Sequence, residues 1–197
     1  MANLNFYYSV MSSGKSTLCL QLNYSLSQKG FKPLLLKSNI DTRDKNVIKS
    51  RIGLSQKCFS ITSEDIEQQH YDKILTSTHI LVDEAQFLSR ENVMSLSRIA
   101  DFRNIEVFCF GLRTDYTGNL FEGSKHLFAL SDNLIEVPTI SADGNKQILH
   151  IKYTNNVPVF NGESIEVGDM DKYSSVSRKE WLLEYYKNKN PEVTKNE

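Results

Sequence analysis

The chain has 197 residues, a formal net charge of −1, 40% hydrophobic and 24% charged residues. That balance suits one moderately large globular core with a small attachment and excludes a disordered chain. Near-neutral charge argues against a nucleic-acid partner, because proteins that sheath DNA or RNA are usually basic.

Leu4–Tyr8 is short, apolar and aromatic and reads as a buried strand. A small-residue loop, Ser9–Gly14, follows it. Lys15–Lys29 has helical spacing, with Leu18, Leu22 and Leu26 along one face and Gly30 as its stop. Pro33–Lys37, through Leu34, Leu35 and Leu36, reads as a second buried strand. Asp41–Gly53 is polar and mixed, and reads as a loop with a helical turn. Lys57–Ile61 is a short strand. Ser63–Leu75 reads as one helix, with Ser63 as N-cap and Glu64 and Asp65 in its first turn. His79–Val82 is an apolar strand ending in Asp83 and Glu84. Ser89–Phe102 is an amphipathic helix, and Glu106–Phe110 a strand closed by Gly111.

This alternation predicts an α/β core with a mostly parallel sheet. From about Pro138 to Tyr173 the texture shifts to glycines, asparagines and short alternating stretches. A small C-terminal β-rich subdomain or a long lasso-like loop is expected there. Arg178–Lys187 reads as a helix and Asn188–Glu197 as a polar tail. The expected division is therefore 1–137 for the core, 138–181 for the small subdomain and 182–197 for the helix end and tail.

Cys19, Cys58 and Cys109 are far apart in sequence and form no CxxC pair, which argues against a disulfide framework and fits a reducing cytoplasm. The first residues, MANLNFYYSV, lack the charged-then-apolar layout of a signal peptide, and no apolar run approaches the roughly 20 residues that cross a bilayer. No membrane partner is expected.

The strongest local motif is Ser12-Ser13-Gly14-Lys15-Ser16-Thr17, set between a predicted strand and a predicted helix, as a Walker A phosphate loop requires. Backbone N–H groups from Ser9, Val10, Met11, Ser12, Ser13 and Gly14 into Lys15, Ser16 and Thr17 would face the phosphates of ATP. Lys15 supplies positive charge at the β and γ phosphates, and Ser16 offers a hydroxyl to Mg²⁺. Ser9 stands where the full pattern has glycine, so the turn forms without glycine's freedom. A bare triplet of this kind can arise by chance, and its plain alternative is a solvated turn.

The second motif is the acidic end of the strand at 79–82. Asp83 suits an acid that holds Mg²⁺, usually through water. The side chain of Glu84 points elsewhere, toward the role of general base for an attacking hydroxyl. A solvated strand terminus is the plain alternative. The four histidines, His70, His79, His126 and His150, form no metal-spaced cluster and read as surface or packing residues. Trp181 and Tyr185, four apart, read as a packing stripe.

Six segments stand in order. They are Phe6–Thr17, Ile40-Asp41-Thr42-Arg43, Ser50-Arg51-Ile52-Gly53, Val82-Asp83-Glu84-Ala85-Gln86-Phe87-Leu88, Gly111-Leu112-Arg113-Thr114-Asp115 and Leu120-Phe121-Glu122-Gly123-Ser124. Together, from about Leu4 to Lys179, they resemble the type II thymidine kinase family. The resemblance implies a P-loop NTPase-type core followed by a lasso over the nucleoside, and transfer of the ATP γ-phosphate to the 5′-hydroxyl of thymidine. It implies Glu84 as catalytic base, Asp83 with Ser16 at Mg²⁺, and Asp41 and Arg43 near the metal and the transferring phosphate. Gln86 falls with the nucleotide-binding residues. Phe87, Leu112, Tyr116 and Phe121 match the wall around thymine, although core packing alone would account for them. Tyr173 matches the lasso tyrosine, and the backbone of Ser164, Ile165, Glu166 and Val167 the reader of the base edge. The resemblance further implies deoxyuridine as a second substrate, dTTP as a feedback ligand and a homotetramer.

One departure is clear. The family's structural zinc is held by cysteines at two places that here read Thr139-Ile140-Ser141-Ala142-Asp143-Gly144 and Val176-Ser177-Arg178-Lys179-Glu180. Serine does not replace a thiolate, and Asp143 with Glu180 is too weak a set for a closed tetrahedral site. No structural zinc is expected, and Ile148, Ile151, Val157 and Val159 are expected to hold this region by packing. Two rivals remain at this point: a related kinase with another hydroxyl acceptor, and a nucleotide-binding regulator that has lost catalysis.

Overall fold

The computed structural model describes residues 1–39, 46–141, 144–162 and 172–189. Its centre is a six-stranded sheet. β1 (Leu4–Ser9), β2 (Pro33–Ser38), β5 (Phe59–Ile61), β6 (His79–Asp83), β7 (Glu106–Leu112) and β8 (Asn133–Glu136) lie in the order β5-β2-β6-β7-β1-β8, and every pairing is parallel. The strands read as unbroken apolar runs because both faces of a parallel sheet are covered. Side chains alternate between the faces. Phe6, Leu34, Leu36, Ile80 and Val82 enter one core with Val93, Leu96 and Ile99 of α4 (Arg90–Arg103) and Leu127 of α5 (Glu122–Leu130). Tyr7, Leu35, Leu81 and Phe110 face Cys19, Leu20, Leu22 and Leu26 of α1 (Lys15–Gln28) on the other side.

Parallel pairing puts the carboxyl ends of β1, β6 and β7 at one edge, where ligands bind in open α/β sheets. Since β7 lies between β1 and β6, the exits of β1 and β6 are two strand spacings apart, roughly 10 Å. The loop after β1 and the start of α1 bridge that gap.

The structure corrects several local expectations. Where a loop with a helical turn was expected before Gly53, β3 (Val47–Lys49) and β4 (Ser55–Lys57) form an antiparallel hairpin. The fully buried Ile48 anchors it in the α1-side core, and Gly53, at φ 91°, makes the turn. The expected single helix at 63–75 is two, α2 (Ile66–Gln69) and α3 (Tyr71–Thr76). Asp65 rather than Ser63 caps α2, because its carboxylate accepts from Glu67 N and Gln68 N and also holds Ser95 and Arg98 of α4. His70 breaks the run by turning inward, its Nε2 2.9 Å from the Ser60 carbonyl. β7 runs through Gly111 to Leu112, one residue beyond the expected stop.

A second, antiparallel sheet follows in the order β10-β9-β11, from β9 (Leu149–Thr154), β10 (Val157–Val159) and β11 (Tyr173–Val176). α6 (Arg178–Lys189) packs against it. Of the four aliphatic residues expected to hold this region, only Ile151 lies in its core, and Val157 is 56% exposed. Phe160 and Val176 do the work instead, because α6 lays Trp181 and Tyr185 over them. These two rings stack at 5.0 Å, as their spacing predicts, and each meets Phe160 edge-on. At the second of the two places that lack the family's cysteines, Ser177 and Glu180 form a capping box for α6: Ser177 N donates to Glu180 Oε2 at 2.7 Å and Glu180 N to Ser177 Oγ at 3.3 Å. Asp143 lies outside the described residues. Among the described residues no helix is long and apolar enough to cross a membrane.

Candidate active site

The loop after β1 turns through positive φ at Ser12 (63°) and Gly14 (85°), and Leu18 N closes the first turn of α1 on Gly14 O at 2.9 Å. Gly14 caps α1 without a side chain, and no acid stands in the first turn. The leading N–H groups of α1 thus meet no side-chain acceptor at the cap, and with the helix dipole they form an anion-binding end. Lys15 Nζ lies back along the loop, donating to Val10 O at 2.6 Å and Ser13 Oγ at 3.1 Å. Burial lowers its pKa to about 8, while the negative charges of Glu84 and Asp83 oppose the shift. Lys15, Asp83 and Glu84 therefore form one electrostatic cluster. Ser9, in the place of the usual glycine, turns its hydroxyl to the Val137 carbonyl (2.6 Å) and to Thr139 Oγ1 (3.2 Å), away from the loop's mouth.

Asp83 ends β6 buried in the cluster. Burial raises its pKa, and the Glu84 carboxylate beside it adds to the rise; a hydrogen bond from the Ser16 hydroxyl and the charge of Lys15 work against it. A raised carboxyl pKa means that the folded protein binds an extra proton between the ordinary carboxylate range and neutrality, so this group's contribution to stability falls as pH rises through that window. Asp83→Asn is therefore expected to stabilise the ligand-free protein by about 1–2 kcal/mol at pH 8, and by less at pH 5. Thermal denaturation at the two pH values checks it; a variant that melts lower than the parent at pH 8 contradicts it.

Glu84 sits in the left-handed region at φ 54°, ψ 38°, a strained place for a residue with a side chain and one that concentrates at functional sites. The short 3-10 turn Ala85–Phe87 follows at once. Gln86, 1% exposed, donates its amide Nε2 to Glu84 Oε2 at 2.6 Å, and its Oε1 accepts from Leu112 N at 3.1 Å. Both ends of this side chain are engaged within the protein, so it orients Glu84 from below. Ser124 Oγ donates to Leu112 O at 2.6 Å, tying α5 into the same chain.

Of the aromatic wall, Phe87 and Phe121 meet edge-on at 5.6 Å, next to the Glu84–Gln86–Leu112 chain. Tyr116, 2% exposed, stands under the small sheet. It meets Tyr173 at 6.1 Å, carries the Lys152 ammonium over its ring and reaches the Asn161 carbonyl. The loop between is shaped by Asp115, whose carboxylate accepts from Thr117 N, Thr117 Oγ1 and Asn119 N, and by Trp181 Nε1, which donates to Tyr116 O. A cleft of about 500 Å³ opens between the phosphate loop and the small sheet, lined by Met11, Ser12, Arg51, Gln147, Tyr173 and Ser175 among others. Glu84, Phe87 and Phe121 do not line it. Asp41, Arg43 and Ser164–Val167 lie outside the described residues.

The three cysteines are free, buried and have thiol pKa values raised by burial, so they are poorly ionised and act as core residues. Sequence reasoning missed the contributions of His150 and Ser175, which reach the phosphate loop across most of the chain, and of Gly123, whose neighbours are set by packing.

A half-buried lysine on a helix-starting loop, with paired acids at the end of a nearby parallel strand, defines a P-loop nucleotide-binding fold equipped for phosphoryl transfer. The family model for thymidine kinase matches residues 2–181. A thymidine kinase of Zymomonas mobilis is 40% identical over 189 residues, covering 92% of this chain and 97% of that one. Those of Rhodopirellula baltica (40%; 90% and 87%) and Photorhabdus laumondii (37%; 92% and 93%) are comparably similar. The chain belongs to the thymidine kinase family, and its reaction is ATP-dependent phosphorylation.

Proposed function

We propose that the chain moves the γ-phosphate of ATP to the 5′-hydroxyl of thymidine, with Glu84 as general base and the Ser9–Thr17 loop as the triphosphate cradle. The observation that carries this reading is the cluster of half-buried Lys15 and Glu84 around the buried Asp83 at the carboxyl edge of the sheet. Lys15 neutralises the β and γ phosphates. Glu84, aimed by Gln86, takes the 5′-hydroxyl proton as that oxygen attacks the γ-phosphorus and the bond to the bridging oxygen of ADP breaks. Asp83 and Ser16 suit Mg²⁺, since a buried carboxylate beside a hydroxyl gains its missing counter-charge from a hard divalent cation. Bound there, the cation supplies positive charge against the triphosphate oxygens. Phe87, Leu112 and Phe121 border thymine, with Tyr116 and Tyr173 on the lasso side. Asp41 and Arg43 serve the transferring phosphate, and Ser164–Val167 read the base edge through their backbone.

In this proposal the working units are 1–137 and 138–189, because α6 continues across 181/182 and packs on the small sheet. Deoxyuridine is a second acceptor, dTTP occupies the nucleoside site as feedback ligand, the assembly is a cytoplasmic homotetramer, and no nucleic acid is bound. No structural zinc is needed.

The test is a nucleoside panel with labelled ATP. Thymidine is expected to give the highest kcat/KM, with deoxyuridine next, and the same preparation is expected to hold well below one zinc per chain. Preference for another acceptor, or ATP binding without transfer, overturns the kinase assignment; one tightly held zinc per chain overturns the metal-free subdomain.

A further inference from the structure

His150 is 2% exposed in β9, and its Nε2 accepts the Met11 N–H of the phosphate loop at 2.8 Å. Directly across the antiparallel ladder, its partner Ser175 of β11 donates its hydroxyl to Met11 O at 3.3 Å. One cross-strand pair of the small sheet thus holds both backbone groups of a single phosphate-loop residue. Two residues earlier, Ser9 is tied to Val137 and Thr139, on the segment leading to the small sheet. The loop lacks glycine at Ser9 and is anchored from outside instead.

We propose that His150 is a positioning residue for ATP: with Ser175 it fixes Met11 from the small sheet, and so sets the shape of the loop that receives the triphosphate. This rests on the reading of Ser9–Thr17 as the ATP cradle. The chemistry requires a neutral imidazole, because a ring that accepts from a backbone N–H needs a free lone pair at Nε2. Burial and the nearby charge of Lys15 lower the His150 pKa to about 4, against a smaller opposing effect of the Thr114 backbone. The ring is therefore neutral at physiological pH. It lies against the loop's backbone and takes no proton in the reaction.

A leucine at this place keeps the bulk and removes the acceptor, leaving a buried N–H without a partner. A glutamine carries an amide oxygen at about the reach of Nε2. The full-length protein, His150→Leu and His150→Gln are compared for the affinity of a non-hydrolysable ATP analogue and for kcat and the KM values of ATP and thymidine. His150→Leu is expected to weaken ATP about tenfold in both analogue affinity and KM, with a smaller change in kcat, and His150→Gln to recover most of the loss. Ser175→Ala, which removes the weaker strut, is expected to weaken ATP about two- to threefold and carries the decision if the leucine variant does not fold. Unchanged ATP affinity in a folded His150→Leu variant, or a glutamine variant no better than leucine, overturns the proposal; so does unchanged ATP affinity in Ser175→Ala where that variant decides. If the unaltered protein itself fails to bind the analogue, the cradle reading falls instead.

Discussion

Glu84→Gln is expected to lower kcat by about three orders of magnitude, the scale of a lost general base, while leaving the affinity for an ATP analogue within about twofold. The substitution is conservative in every other respect. Glutamine keeps an oxygen that can accept from Gln86 Nε2, so the orienting bond of 2.6 Å has a counterpart. The left-handed backbone at residue 84 strains both side chains alike. What disappears is a carboxylate able to take the 5′-hydroxyl proton. Steady-state kinetics paired with calorimetric titration separate the two quantities. A variant that retains more than about a tenth of the parent kcat, far above the usual loss for a general base, would remove Glu84 from the role. The result also divides a kinase from a nucleotide-binding regulator, which would show no turnover to lose.

Gly123→Ala is expected to cost about 3 kcal/mol of stability, the upper end for forcing a methyl group into a packed site, and to lower kcat at least tenfold. A Cβ at this position would stand 2.4 Å from Ala85 O, 2.8 Å from Gln86 O and 2.9 Å from Gln86 C. All three are backbone atoms of the short turn that follows Glu84, so no side chain can swing aside. Either α5 lifts away, opening the core around Leu127, or the turn tilts. A tilt moves Gln86, and through it the carboxylate of Glu84; it also shifts Phe87 against Phe121. For a chain of this length the stability loss corresponds to a fall of roughly 6–12 °C in melting temperature. Calorimetry and kinetics on the same sample check both halves. A melting temperature within a degree or so of the parent would mean that α5 and the turn are less tightly engaged than these distances require.

Much of the core was legible residue by residue. Leu34, Leu35 and Leu36 announce a strand buried on both faces, and the structure sends the first and third to one core and the second to the other. Ser89 reads as a helix start and does cap α4, through a box with Asn92. The hairpin at 47–57 was not legible, because its strands are only three residues long and just one of their side chains, Ile48, is buried. The break at His70 was equally hidden: 63–75 has a helical spacing, and the imidazole leaves it for the Ser60 carbonyl on β5. β8, four residues none of them fully buried, shows its role only in the company of β1.

The phosphate-loop triplet, the acid pair after an apolar strand and the order of six motifs could be recognised along the chain, since each depends on neighbours a few residues apart and on the local geometry of strand, turn and helix. The clasp of His150 and Ser175 on Met11 could not, nor could the closeness of Gly123 to Ala85 or the engagement of both ends of Gln86. Those contacts join positions separated by up to 164 residues. They come into being when packing of the apolar faces brings distant backbone groups together, and a buried N–H or carbonyl must then find its partner there.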